Sequence, residues 1–178
     1  MIHEEGSHYL YGRHDFHFGQ DLDAVAPFIA DRMQSTRDLI RSITLYKQIP
    51  ISSIAHDLHD WASICQSLSR LTRLTRLTII VGCGRLQKSW DGPQELAVSD
   101  LRLLYSTRHE VIDWIRELAG LNRIGNLVLA ADVQPLTEPD THAMLVTAAF
   151  SASIGSSLIQ FLRDDLRFAA TAARELRS

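Results

Sequence analysis

The chain has 178 residues, 46% of them hydrophobic and 22% charged, with a formal net charge of -3. That length buries one substantial core rather than two, so residues 1–178 read as a single domain, and the composition excludes a disordered or fibrous chain. The weakly acidic balance lacks the broad basic field of a nucleic-acid binder, and two cysteines, Cys65 and Cys83, are too few for a disulfide framework and read as thiols in a reducing compartment.

The first residues show no basic segment leading into an apolar one. The longest apolar-leaning run, Ala143 to Ile154, is broken by threonine and serines and is shorter than a bilayer span. The expectation is an intracellular protein, cytoplasmic or nuclear, with no membrane partner.

In chain order, an almost immediate strand-like segment comes first, with His14 to Phe18 alternating polar and apolar. Asp21 is the predicted cap of a helix running to about Met33, kinked at Pro27, and Leu39 to Tyr46 is the next strand. After a loop over Lys47 to Ala55, the residues Trp61, Ile64, Cys65, Leu68 and Leu71 recur at helical spacing, with Asp57 or Asp60 as cap. The triplet "RLTRLTRLT" then carries the chain from helix end through a turn into a strand, where Leu77, Ile79 and Val81 alternate with Thr78 and Ile80. Gly82 to Ser99 reads as a punctuated loop, and Thr107 to Glu110 as a capping-box start for a helix bearing Trp114. From Thr137 a helical region runs to the last residues, with a break around Gly155.

The triplet's leucines belong to a spacing used three times: Ile40, Ile43, Leu45; Leu74, Leu77, Ile79; and Ile124, Leu127, Leu129. In each, the first residue anchors a turn and the next two point inward from a strand. Shifting the second unit by fifty positions superposes Trp61, Ile64, Cys65, Leu68, Leu71, Arg73 and Leu74 on Val111, Trp114, Ile115, Leu118, Leu121, Arg123 and Ile124. Helices alternating with strands predict an α/β fold with parallel pairing. The expected form is a short, open, leucine-rich-repeat-like solenoid of about four parallel strands backed by helices, with units over 9–130 and a helical cap over 137–178. In that register Phe16, Ile43, Leu77 and Leu127 stack inward, as do Phe18, Leu45, Ile79 and Leu129. The open face carries Asp15–Ser42–Arg76–Asn126, His17–Thr44–Thr78–Val128 and Gly19–Tyr46–Ile80–Ala130.

The segments "LYGRHDFHF", "DLIRSITLY" and "DWASICQSLSRLTRLTRLTIIV" resemble a fungal leucine-rich-repeat-like domain of unknown function, often found downstream of an F-box-like segment. The resemblance covers roughly residues 9 to 130 and implies an α/β repeat form. That family brings no established catalytic residues.

Chemical readings are thinner. Arg70, Arg73 and Arg76 are expected to point in three directions, as solvated charges near a helix end rather than a phosphate site. His56, Asp57, His59 and Asp60 contain metal-binding residue types, but a helix start explains the aspartates, so no metal and no cofactor is expected. His14 and His17 point to opposite faces of a strand. Cys83 follows a strand between two glycines, where α/β enzymes place reactive groups. No motif brings it a partner, however. The leading expectation is a non-catalytic protein–protein interaction module whose partner-binding residues are His17, Arg41, Thr44, Tyr46, Arg76, Thr78, Ile80 and Asn126. The alternatives are a small hydrolase or transferase using His56, His59 or Cys83, and a truncated family member without a retained partner. Self-association through the N-terminal edge strand is the corresponding expectation for an uncovered edge.

Overall fold

The computed structural model describes residues 2–49, 61–85, 95–121, 124–135 and 141–172. Five parallel strands, β1 (Asp15–His17), β2 (Ser42–Gln48), β3 (Arg76–Arg85), β4 (Asn126–Pro135) and β5 (Ala170–Ala172), form one open sheet in chain order. Around them are α1 (Ile2–Arg13), α2 (Val25–Ala30), α3 (Gln34–Arg37), α4 (Trp61–Ser69), α5 (Val98–Ser106), α6 (Glu110–Ala119), α7 (His142–Ser153) and α8 (Ser157–Asp164).

The register follows the alternation in the sequence. Phe16 lies beside Ile43, Ile43 beside Leu77, and Leu77 beside Leu127. One residue further along, Thr44 pairs with His17 and Thr78, and Thr78 with Val128. Because strand side chains alternate between faces, Ile43, Leu45, Leu77, Ile79, Leu127 and Leu129 all enter one apolar core, each no more than 1% exposed. Burying each contributes about 1.5–3 kcal/mol. Against them α2 lies beside α4, α4 beside α6, and α5 touches both α6 and α8, while α7 packs on β3.

The helix-to-strand turns repeat in their hydrogen bonds as well as their leucines. Leu71 N–H donates to Leu68 O (3.0 Å), and fifty residues on Leu121 donates to Leu118 (2.8 Å). The next bond recurs three times: Ile40 to Arg37 (3.1 Å), Leu74 to Leu71 (3.3 Å) and Ile124 to Leu121 (3.4 Å). Neighbouring turns are also tied together. Arg41 O accepts from Thr75 N (2.9 Å) and Arg76 N (3.0 Å), and Thr75 O accepts from Asn126 N (2.8 Å). Thr72 donates its hydroxyl to Asp38 (2.6 Å); that bond, ahead of Gln34 and the charges of Arg73 and Arg37, holds the Asp38 carboxyl below its ordinary value.

Two tryptophans join α4 to α6. The Trp61 ring meets the Trp114 ring edge-on at 5.9 Å, and its indole N–H donates to Trp114 O (2.9 Å). Trp61→Phe keeps the ring contact but leaves that buried carbonyl without the indole donor. The expected loss is about 1–2 kcal/mol in urea denaturation; an unchanged midpoint would show that the bond adds nothing.

Lys47 shares the inward parity of Ile43 and Leu45 and is only 5% exposed. Its ammonium lies 5.3 Å from the centre of the Trp61 ring. Burial brings it from an ordinary 10.5 down to about 8. Burial first, then the charge of Glu117, pushes the nearby Cys65 thiol up to about 12, with Lys47 opposing. Cys65 therefore stays a neutral thiol at physiological pH, inert as a nucleophile.

Several local elements differ from the sequence reading. The expected strand, β1, is preceded by a helix, α1. Its Tyr11 ring stacks on Phe16 (5.6 Å), Phe28 lies against Phe16 and Phe18 (5.2 and 5.3 Å), and Arg32 sits over Phe28 (5.2 Å). The helix expected from Asp21 to Met33 is a 3-10 turn (Leu22–Ala24) followed by α2, and α3 begins after Met33. Pro27, lacking an N–H, is accommodated in the first turn of α2, and extended backbone at Met33 ends the run. α6 is capped by His109 Nδ1, which accepts from Val111 N (3.3 Å), rather than by Thr107. Thr107 instead closes α5, donating to Leu103 O (3.0 Å). The C-terminal helical region breaks after Ser153, as expected, but leads into β5, so the sheet has five strands where about four were expected. Among the described residues no single helix is long and apolar enough to cross a membrane, and α7 and α8 are bent by 74°.

Candidate functional site: the exposed sheet face

The face opposite the core is built from the alternate residues of the same strands. Along β1 these are Asp15 and His17; along β2, Ser42, Thr44, Tyr46 and Gln48; along β3, Arg76, Thr78, Ile80 and Gly82. β4 adds Asn126, Val128, Ala130 and Asp132, and β5 adds Thr171. Tyr46 and Ile80 are direct ladder neighbours, as are Ile80 and Ala130.

Asp15 organises the N-terminal corner. One carboxylate oxygen accepts from Ser42 Oγ (2.9 Å), and the other accepts from Thr44 Oγ1 (2.7 Å) and lies 3.6 Å from His17 Nε2. Thr44 is thereby engaged inside the face, at 2% exposure, while His17 stands out, its side chain 61% exposed. At the far end, Tyr46 Oη donates to Asp132 Oδ2 (2.8 Å), reaching from β2 to β4. Gly82 on the intervening strand makes that reach feasible. A Cβ there would strike the Tyr46 hydroxyl and ring and the Gln48 amide.

Between these two corners, Arg76 is exposed, with Ser42 and Asn126 as ladder neighbours. Thr78 and Ile80 are half-buried, and Val128 and Ala130 are buried among their neighbours. Asn126 Oδ1 accepts from Thr171 (3.2 Å), which extends the polar row onto β5. Arg41 is exposed but lies one residue before β2, at the turn, where its carbonyl rather than its side chain holds the next unit.

Of the eight expected binding residues, the sheet brings His17, Thr44, Tyr46, Arg76, Thr78, Ile80 and Asn126 onto one face and leaves Arg41 at its rim. Asp15, Gly82 and Asp132 were not among them. Carrying the strand register one row past Tyr46 pairs Gln48, Gly82 and Asp132, a signal already present in the alternation. His56, His59 and the Cys83 side chain lie outside the described residues. Among the described residues no group of three or more His, Cys, Asp or Glu side chains is placed to hold a metal ion. In chemical terms the face offers one exposed cation, a phenol and a carboxylate locked together, and a low β-branched floor. No family model, no curated protein and no solved structure matches this chain, so the meaning of this face rests on its own geometry.

Proposed function

We propose that the chain is a non-catalytic interaction module, a short leucine-rich-repeat-like solenoid that binds a protein partner on its open sheet face. The observation that carries this reading is the direct pairing of Tyr46 with Ile80, with the exposed Arg76 at the start of the same strand, on a face whose neighbouring polar side chains are already fixed by hydrogen bonds. A face ordered in advance loses little conformational freedom on binding, and aromatic and arginine side chains dominate interface energetics. The repeated turns, recurring in both sequence and hydrogen bonding, support a solenoid, as does the resemblance to the fungal leucine-rich-repeat-like domain.

The test is affinity capture at physiological salt from an extract of the source cells, with the wild-type chain beside Tyr46→Ala/Arg76→Glu. The expected result is a partner retained by the wild type and reduced at least tenfold by the double variant. Equal capture of that partner by both baits would move the site off this face. No reproducible partner for either bait would count against the adaptor reading itself.

A further inference from the structure

The sheet ends on β1, whose outer edge has no strand beside it among the described residues. Phe18 N–H donates to Thr44 O (3.1 Å), which sets the rotation of this strand. In a parallel ladder alternate residues turn their backbone groups to the neighbour. Those of Phe16 therefore face β2, and the N–H and C=O of Asp15 and His17 face outward. Among the described residues no hydrogen bond reaches these outward groups. α1 meets β1 through Tyr11, stacked on Phe16 on the core side of the strand. An open edge of this kind is a template for another strand.

The core is also less covered at this end. Phe16 and Phe18, with the Tyr11 and Phe28 rings packed on them, are half-buried, whereas Ile43 and Leu45, one strand further in, are fully covered. Tyr9 and Leu10 on α1, and Met33 at the start of α3 beside it, are exposed. The other exposed large apolar side chain among the described residues is Leu103. The apolar surface still without cover is concentrated at the β1 end.

The occupant that fits this edge is set by the edge's own sequence. Asp15-Phe16-His17 is its own complement when reversed. An antiparallel copy centred on Phe16 places Asp15 of each chain opposite His17 of the other. These are the residues whose backbone groups face outward, so each such pair exchanges two hydrogen bonds, with Cα atoms about 5.5 Å apart. Their side chains then stand together on the open face, carboxylate beside imidazole, matched whether the ring is protonated or merely donates its N–H. Within one chain the Asp15 carboxylate lies 3.6 Å from its own His17 ring, beyond hydrogen-bond distance, and the His17 side chain is 61% exposed. The strand at the other end, β5, is Ala170-Thr171-Ala172 and has no charge to set a register. We propose that two copies of the chain pair along β1 in antiparallel register, about a two-fold axis through Phe16, which joins their sheets and covers the half-buried aromatic end of each core. The two-fold uses both open β1 edges, so association stops at a dimer. This interface shares His17 with the proposed partner face but depends on neither Tyr46 nor Arg76.

Sedimentation equilibrium of the purified chain over a hundredfold range of concentration tests this. The expected result is a reversible monomer–dimer equilibrium. His17→Pro removes an outward N–H at an edge position where proline is tolerated, and dimerisation should weaken at least tenfold. His17→Asp leaves the backbone intact and sets carboxylate against carboxylate, so it too should weaken dimerisation at least tenfold. An equimolar mixture of His17→Asp with Asp15→His restores opposite partners and should dimerise more tightly than either variant alone. Tyr46→Ala/Arg76→Glu should dimerise as wild type does, which separates this edge from the partner face. Circular dichroism checks that His17→Pro folds; if it does not, His17→Asp and the mixture decide. A monomer at every concentration, a dimer indifferent to His17→Asp, a mixture no tighter than its components, or a dimer dissolved by Tyr46→Ala/Arg76→Glu overturns the proposal. So does growth into larger assemblies, because β1 would then meet β5 of the next copy rather than a second β1.

Discussion

Between pH 7 and pH 10 the wild-type protein should gain roughly 2 kcal/mol of stability that Lys47→Met does not gain. Lys47 sits inside the core at 5% exposure, and burial brings its ammonium down to about 8 from 10.5. At about 1.4 kcal/mol for each pH unit, that difference is worth roughly 3 kcal/mol, which makes the charged form unwelcome where it lies. The Trp61 ring beside the ammonium acts against that burial, favouring the charged form by about 0.5–2 kcal/mol. Methionine keeps the length of the stem and removes the charge.

The pH dependence has a definite sign. Below about 8 both folded and unfolded chains hold the Lys47 proton, and the full penalty applies. Between about 8 and 10.5 the unfolded chain holds a proton that the folded chain has released, so stability rises with pH across this window. Urea denaturation of both proteins at pH 7 and pH 10 should therefore show a gap that moves by about 2 kcal/mol in favour of wild type at the higher pH. A gap that stays constant between the two pH values would refute the assignment.

The second large effect is expected at Gly82. An alanine there places its methyl group against the Tyr46 hydroxyl and ring and against Gln48. Gln48 is exposed and has room to turn away, but the tyrosine ring is rigid and its hydroxyl is bonded to Asp132. Gly82→Ala should cost about 1–3 kcal/mol, the range for overpacking. The cause is separable in a double-mutant cycle. In a Tyr46→Ala background the methyl group meets no ring, and most of its cost should vanish. If the two substitutions simply add, Tyr46 does not pass over Gly82 in solution. Because Tyr46 is also a proposed contact, Gly82→Ala should weaken partner capture alongside stability.

Much of the architecture was legible because two periods are simple to read. Inward residues every second position placed Ile43, Leu77 and Leu127 in one row, and the ladder pairs them in that register. The fifty-residue shift that aligned Leu71 with Leu121 reappears as equivalent hydrogen bonds. The missed elements carry weak versions of those signals. α1 has no continuous apolar stripe, α5 buries only Leu101 fully, and β5 is three residues of alanine and threonine whose strand character comes from pairing with β4. Lys47 shows a different limit. It was expected to open a loop after a strand ending at Tyr46, but β2 continues through Gln48, and the strand's alternation carries Lys47 inward with Leu45. The Tyr46–Asp132 bond spans 86 residues and needed a glycine between two strands, which no local pattern states.

The order of the strands also bears on synthesis. Every strand after the first lies beside the one that precedes it in the chain. As the polypeptide leaves the ribosome, β2 finds β1 already released, β3 finds β2, and the same holds through β5. No pairing waits for a later segment to be inserted between two earlier ones. The nascent chain can therefore assemble vectorially, each new helix–strand unit closing over the exposed flank of the last, so the apolar surface awaiting cover at any moment is about one unit wide.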